Sequence, residues 1–445
     1  MGLDLHLECL SRLYQFVAEH LPGVRIDHDM FLQYSSMAPL FSIDKILPGS
    51  KILTESLQRY VGEHALYTFL SDSIARDIYE TNQYSVEKKG VPLVSFPNYS
   101  IPADAAKRLI DDFNTLPWNF RVSLEIPKPF GNTLRNLVGN FNLSDSFRLV
   151  CPDDKYSQTI PLKSGIEQRD SLLFGVTTLL TQGSEQEACW SQETAYLQTD
   201  VTGFIGFFQD TAALEDAIAQ LKGFFGLGIA VRLLKLKEEV APLPLFGPPS
   251  PMKYHLLVHR DMNSHAEIWL KPELPPEFSE VLGQLDIEDF KEQLGTPMQN
   301  SNSQSAIVKA GLSTISAAFR KPDQAARVLL AAQWLIDSYT GRNDLLSYVQ
   351  AAVAMEILLG EEAKSDIIGI GELMRNRCAY LIGASRSHRE RILGDFIRIY
   401  DVRSKIVHRG KSRLTLEERG LFQELRWMCG RVIQEELRLL SNDTS

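Results

Sequence analysis

"KPDQAARVLLAAQWLIDSYTG" (Lys321–Gly341) decides how the second half of this chain is read. Pro322 stands where a first helical turn tolerates a missing N–H, and Gly341 stands where a helix stops. The same grammar recurs downstream. "RNDLLSYVQAAVAMEILLG" (Arg342–Gly360) opens at an Asn/Asp cap and ends on glycine, and "KSDIIGIGELMRNRCAYLIG" runs to Gly383. "SHRERILGDFIRIYDVRSKIVHRG" continues to Gly410, and the last segment begins with the capping box Thr415-x-x-Glu418. Helical spacing at Ile307–Phe319 precedes the set. Short connections between amphipathic helices predict an antiparallel bundle over residues 306–445.

Working back from there, "PMQNSNSQS" (Pro297–Ser305) is a polar tract with almost nothing to bury, and it is read as the main boundary. Residues 1–300 mix two periods. Helical spacing occupies Leu5–Leu21, Leu53–Tyr79, Ala103–Leu116 and Thr211–Phe225. Strand-like runs are "WNFRVSLEI", "SFRLVCP", "AYLQTDVTGFIGFF", "IAVRLLKLK" and "MKYHLLVHRD". The expected fold class is therefore an α+β N-terminal region followed by an all-α helical bundle. Five prolines in "APLPLFGPPSP" (Ala241–Pro251) mark a possible sub-boundary inside the first region.

Composition narrows the class of protein. With 44% hydrophobic and 23% charged residues the chain is globular in character, and its longest apolar run, Val328–Ile336, is too short to span a bilayer. The start "MGLDLHLECL" carries acids where an export signal carries cations, and it lacks the myristoylation pattern. Five scattered cysteines without a CxxC pair fit buried thiols in a reducing, cytoplasmic setting. No metal or cofactor site is read, because His255 and His259 share a strand face without a third ligand nearby.

A net charge of −10 argues against a general nucleic-acid binder, but the charge is uneven. From Arg375 to Arg413 eleven Lys and Arg face three acids, a local net of +8. Within it lies "YDVRSKIVHRG" (Tyr400–Gly410), with Arg403 and His408 in an R-x4-H arrangement. Arg260 and His265 repeat that spacing in a polar turn with no basic context, so spacing alone means little. Five helical residues also turn through about 140°, so the pair shares a groove only through long side chains or where the helix loosens before Gly410.

Two readings of the run stay open on residue physics. Lys405, His408 and Arg409 suit a helix C-terminus through its carbonyls and dipole. Equally, Arg403 and His408 suit RNA cleavage without a metal. A histidine, near neutrality in pKa, can take the proton of a ribose 2′-hydroxyl that then attacks phosphorus. A guanidinium can grip the phosphate and hold the growing charge. DNA lacks that hydroxyl. "KGFFGLGIA" (Lys222–Ala230) has glycines but not the spacing of a phosphate loop.

Three blocks in order, "AAQWLIDSY", "AVAMEILLG" with "KSDI", and "YDVRSKIVHRG", resemble the HEPN superfamily, and within it the Apea-like HEPN domains. The resemblance covers roughly residues 320–440. It implies a bundle that forms a homodimer, with the motifs of two copies lining a shared groove, and a metal-independent endoribonuclease of anti-phage, abortive-infection type. It assigns catalysis to Arg403 and His408, a supporting role to Ser404 in a position where many relatives have Asn, and another to Glu356 as a partner for the arginine, which an ordinary salt bridge explains equally well. Arg398, Lys405 and Arg409 are the candidate RNA-binding cations, and the N-terminal region would bind an unknown trigger. A non-catalytic dimer that binds RNA or a partner protein is the alternative, and a toxin held by a separate antitoxin is a third.

Overall fold

The computed structural model describes residues 3–27, 32–81, 90–160, 190–206, 211–237, 253–262, 265–288, 301–340, 343–360 and 370–442. The chain begins with α1 (Leu7–His20), β1 (Arg25–Ile26), α2 (Tyr34–Met37), α3 (Lys51–Tyr60), α4 (Ala65–Thr81), β2 (Val91–Pro92) and α5 (Pro102–Asn114). Next come β3 (Trp118–Glu125), α6 (Phe130–Leu137), β4 (Phe141–Asn142), β5 (Phe147–Val150), α7 (Asp154–Thr159) and β6 (Tyr196–Gly203). Then follow α8 (Ala212–Ala230), β7 (Leu234–Leu236), β8 (Leu256–Met262), β9 (His265–Leu270), α9 (Pro276–Gln284) and β10 (Leu285–Ile287).

Every described element after that is helical. These are α10 (Ser301–Arg320), α11 (Pro322–Asp337), α12 (Asp344–Leu359), α13 (Ile370–Ile382), α14 (Arg386–Arg409) and α15 (Leu416–Asn442). The α+β region followed by an all-α bundle is thus the observed architecture.

Six strands form one antiparallel sheet in the order β4–β5–β6–β3–β8–β9. Period-two alternation on β3 turns Phe120, Val122 and Leu124 to one face, where all three are buried. On β5, Phe147 belongs to the same apolar core and meets Phe224 of α8 at 6.0 Å and Phe319 of α10 at 4.7 Å. Sheet and bundle therefore share a continuous core, and α8 is the element that joins them.

That helix differs from expectation. The strand read at Ile229–Lys237 begins only at Leu234, because α8 continues to Ala230. Apolar residues on almost every side let α8 bury itself between sheet and bundle, which favours continued helix over an edge strand. Its glycines serve this packing. A Cβ on Gly226 would lie 2.0 Å from the Ala332 carbonyl oxygen, so only glycine admits α11 at this crossing. The Lys222–Asp337 ion pair, at 2.9 Å, spans the same joint.

Two further expectations are corrected. The helical spacing at Leu53–Tyr79 is two helices, α3 and α4, parted where Gly62 and His64 take positive φ. The polar tract Pro297–Ser305 is not wholly a linker: from Ser301 it is the start of α10, and the Ser305 hydroxyl donates to the Leu137 carbonyl on α6. The proline run at 241–251 lies outside the described residues. Cys9, Cys378 and Cys429 are buried and Cys151 is half-buried, all as free thiols. No helix among the described residues is long and apolar enough to cross a membrane.

Candidate functional site at the end of a basic helix

The site is assembled on α14. Ser385 caps its start by accepting from the His388 N–H at 3.2 Å. Ile392, Phe396, Ile399 and Val402 recur at helical spacing and are buried, which fixes the helix face that meets the bundle. The helix stays regular to Arg409 and ends at Gly410, whose φ of 62° and ψ of 39° place it in the left-handed region. The Gly410 N–H bonds back to the Lys405 carbonyl. The loosening that would have brought Arg403 and His408 onto one face is absent, so in a single chain they diverge by about 140°.

Arg403 points toward α12. Its Nε lies 3.3 Å from Glu356 Oε1, at an angle that does not make a direct hydrogen bond. The arginine side chain is 27% exposed and the glutamate 32%, so both remain within reach of a ligand. A pair this open adds only ~0.2–1 kcal/mol to stability, which makes stability a weak reason for it. Beneath it, Tyr400 stacks on Phe396 at 4.7 Å and sets its hydroxyl 4.0 Å from Met374 Sδ. Burial first, and then the Glu356 carboxylate, push the Tyr400 phenol well above its ordinary range, so it stays neutral.

Glu356 sits one turn before the end of α12, and that end is held from two sides. Arg327 of α11 donates to the carbonyls of Ile357 at 2.9 Å, Leu358 at 3.2 Å and Gly360. Arg377 of α13 donates to Leu359 at 3.1 Å. Two guanidiniums thus satisfy the orphan carbonyls and complement the negative end of the helix dipole. Glu356 is positioned by a fixed helix end rather than by a loop.

The other expected residues separate into two groups. Lys405 is held by Asp401 at 2.6 Å, and Arg398 by Asp395 at 3.2 Å and by Glu417. Arg375, Arg386, Arg391 and Lys411 also have carboxylate partners. By contrast, His408 and Arg409 are exposed at the helix end and have no side-chain partner among the described residues, and Arg413 just beyond is in the same state. Ser404 is half-buried and its hydroxyl makes no hydrogen bond among them. Acids contributed by α12, α13 and α15 therefore offset much of the +8 segment. Arg389 keeps its charge beside only the Gly383 carbonyl and the Tyr380 ring, and the cations with no side-chain partner among the described residues lie at the last turn of α14 and just after it.

A second polar cluster was missed by sequence reasoning, on the sheet face away from the core. Arg148 grips Asp200 with two nitrogens at 2.8 Å each, and Arg121 meets the same carboxylate at 3.0 Å. Gln198 joins them, accepting from Arg148 at 2.9 Å and donating to Ser123 at 2.9 Å. Cross-strand register from β5, β6 and β3 brings these residues together, and alternation in each strand was the one available signal. Nearby, Trp190 stacks on the buried ring of His259 at 5.8 Å. Among the described residues no group of three or more His, Cys, Asp or Glu is placed to hold a metal ion.

Comparison with family models, curated proteins and solved structures finds no match to this chain.

Proposed function

We propose that the chain is a metal-independent endoribonuclease effector, cleaving RNA by attack of a ribose 2′-hydroxyl and acting in anti-phage, abortive-infection defence. One observation carries the reading. A partly open guanidinium, Arg403, is held by a carboxylate from a neighbouring helix, five residues before a histidine at an exposed helix end that has no side-chain partner among the described residues.

His408 takes the 2′-hydroxyl proton, and the resulting oxygen attacks the adjacent phosphorus. The P–O5′ bond breaks and the leaving oxygen takes up a proton, giving a 2′,3′-cyclic phosphate and a 5′-hydroxyl. Arg403 holds the phosphate oxygens as charge grows on them, and Glu356 keeps the guanidinium aimed. The divergence of the pair on one helix is accommodated if Arg403 of one copy and His408 of a second copy line the same groove. That arrangement requires a homodimer through the bundle.

Purified protein incubated with end-labelled RNA in excess chelator tests this. Fragments with cyclic-phosphate ends, lost in His408→Ala and at a single 2′-deoxy linkage, are the expected products. Fragments that persist in His408→Ala, or that vanish with chelator, contradict it. Mixing inactive Arg403→Ala and His408→Ala chains should restore up to about a quarter of the activity, since half the dimers then carry one intact site.

The alternative, a non-catalytic dimer binding RNA or a protein, draws on the pairing of most cations in α14. It predicts RNA binding that weakens steeply with salt, without cleavage.

A further inference from the structure

We infer that the cleft between α8 and α11 is a binding site for a small organic monocation with an apolar body. The cleft is open on one side and has a volume of about 640 Å³, within the ~300–1,000 Å³ of small-molecule sites. One wall is the α8 face with Leu214, Glu215, Ile218 and Lys222; the other is α11 with Gln333, Trp334 and Asp337. A proline-rich segment between β9 and α9, residues 272–276, closes one side.

Charge bookkeeping selects the ligand. Lys222 is neutralised by Asp337 at 2.9 Å, and Glu273 by Lys253 at 3.0 Å. Glu215 is left with no ion-pair or hydrogen-bond partner for its side chain among the described residues, so the lining carries one net negative charge. Trp334 is half-buried, and its indole N–H has no partner among them either. An aromatic face attracts a cation, and apolar walls attract a hydrocarbon body. An anion would meet Glu215 with nothing to offset it. The site therefore suits an amine or other ammonium bearing a ring or branched chain.

Its place also follows from the fold. Gly226 and Ala332 bring the two helices into backbone contact, and the ion pair of Lys222 and Asp337 lies at the cleft. An occupant touches the sheet-bearing region and the bundle at once. Binding here does not depend on the ribonuclease reading, and the experiment below reads no RNA.

Calorimetric titration of the full chain with phenethylammonium, 2-phenylethanol and phenylacetate separates charge from shape. The ammonium should bind at least ~10-fold more tightly than the alcohol, the scale of one cation–π contact and one carboxylate. Glu215→Gln, a change at an exposed side chain, should remove most of that preference and leave only the part due to the Trp334 ring. Ala219 also lines the cleft, and Ala219→Phe, which fills it, should abolish binding of both, with circular dichroism confirming the fold; if that variant does not fold, Glu215→Gln decides alone. Equal binding of alcohol and ammonium, preference for phenylacetate, unchanged ammonium affinity in Glu215→Gln, binding retained in a folded Ala219→Phe, or no binding of any probe overturns the inference.

Discussion

Arg260–His265 and Arg403–His408 are arginine–histidine pairs of identical spacing, and the backbone under each gives it a different meaning. Arg260 and His265 lie on β8 and β9, whose antiparallel register pairs Met262 with His265. The Arg260 guanidinium lies 3.5 Å over the Trp118 ring and 5.2 Å from that of Trp269. It is packing, with its charge spread over aromatic faces inside the α+β region. Arg403 lies instead on a helix, a quarter exposed, facing one carboxylate, five residues before a histidine with no side-chain partner among the described residues. Equal spacing in sequence therefore carries no chemistry until the element beneath it and the partners around it are known.

That contrast can be broken by experiment. Arg403→Ala should lower RNA cleavage by ~10²–10³-fold, the scale of losing one transition-state donor, with stability changed by less than ~1 kcal/mol. Arg260→Ala should do the reverse. Losing its stacking on two indoles should destabilise the fold by ~1–3 kcal/mol in urea titration, while cleavage per folded molecule is unchanged. If Arg260→Ala removes cleavage from a folded chain, or Arg403→Ala mainly unfolds it, the two sites have been assigned the wrong way round.

A smaller effect sharpens the same contrast. Glu356→Gln keeps the shape but drops the charge that aims Arg403, and should slow cleavage about 10-fold through misplacement of the guanidinium. An unchanged rate would leave the pair as an ordinary ion pair.

The smallest expected effect concerns the next helix. Glu418 accepts from the Thr415 N–H at 2.7 Å and pairs with Lys411 at 2.9 Å, completing the capping box of α15. Burial raises its carboxyl, but the Thr415 and Lys411 bonds together outweigh it and hold the group below its ordinary value. A depressed folded value stabilises above the unfolded carboxylate pKa and is lost as pH falls through the folded one. Glu418→Gln should cost about 1 kcal/mol near neutrality, and the gap to the parent should close on acidification. A gap that does not depend on pH would remove the charge from this account.

How far these features were legible follows from range. The bundle helices were readable because caps are local: Asn343 accepts from Leu345 and Leu346, and Thr415 and Glu418 bond reciprocally within four residues. The length of α8 was not readable, because its continuation depends on burial against α11 and the sheet, far off in sequence. Charge was misjudged for the same reason. Counting Arg375–Arg413 as a window omits Glu356, Glu417, Glu418 and Glu424, each delivered by another helix or turn. The Arg121–Arg148–Asp200 cluster escaped because its members lie on three strands. The resemblance names Arg403, His408 and Glu356, with the glutamate as a partner for the arginine, and the packing of α12 on α14 sets those two side chains 3.3 Å apart.

The most direct measurement is total RNA from bacteria expressing the wild-type chain, with His408→Ala expressed to the same level. The account predicts arrested growth and RNA broken to 5′-hydroxyl ends in the first culture, and intact RNA in the second. Intact RNA in both, or equal breakage in both, would contradict it.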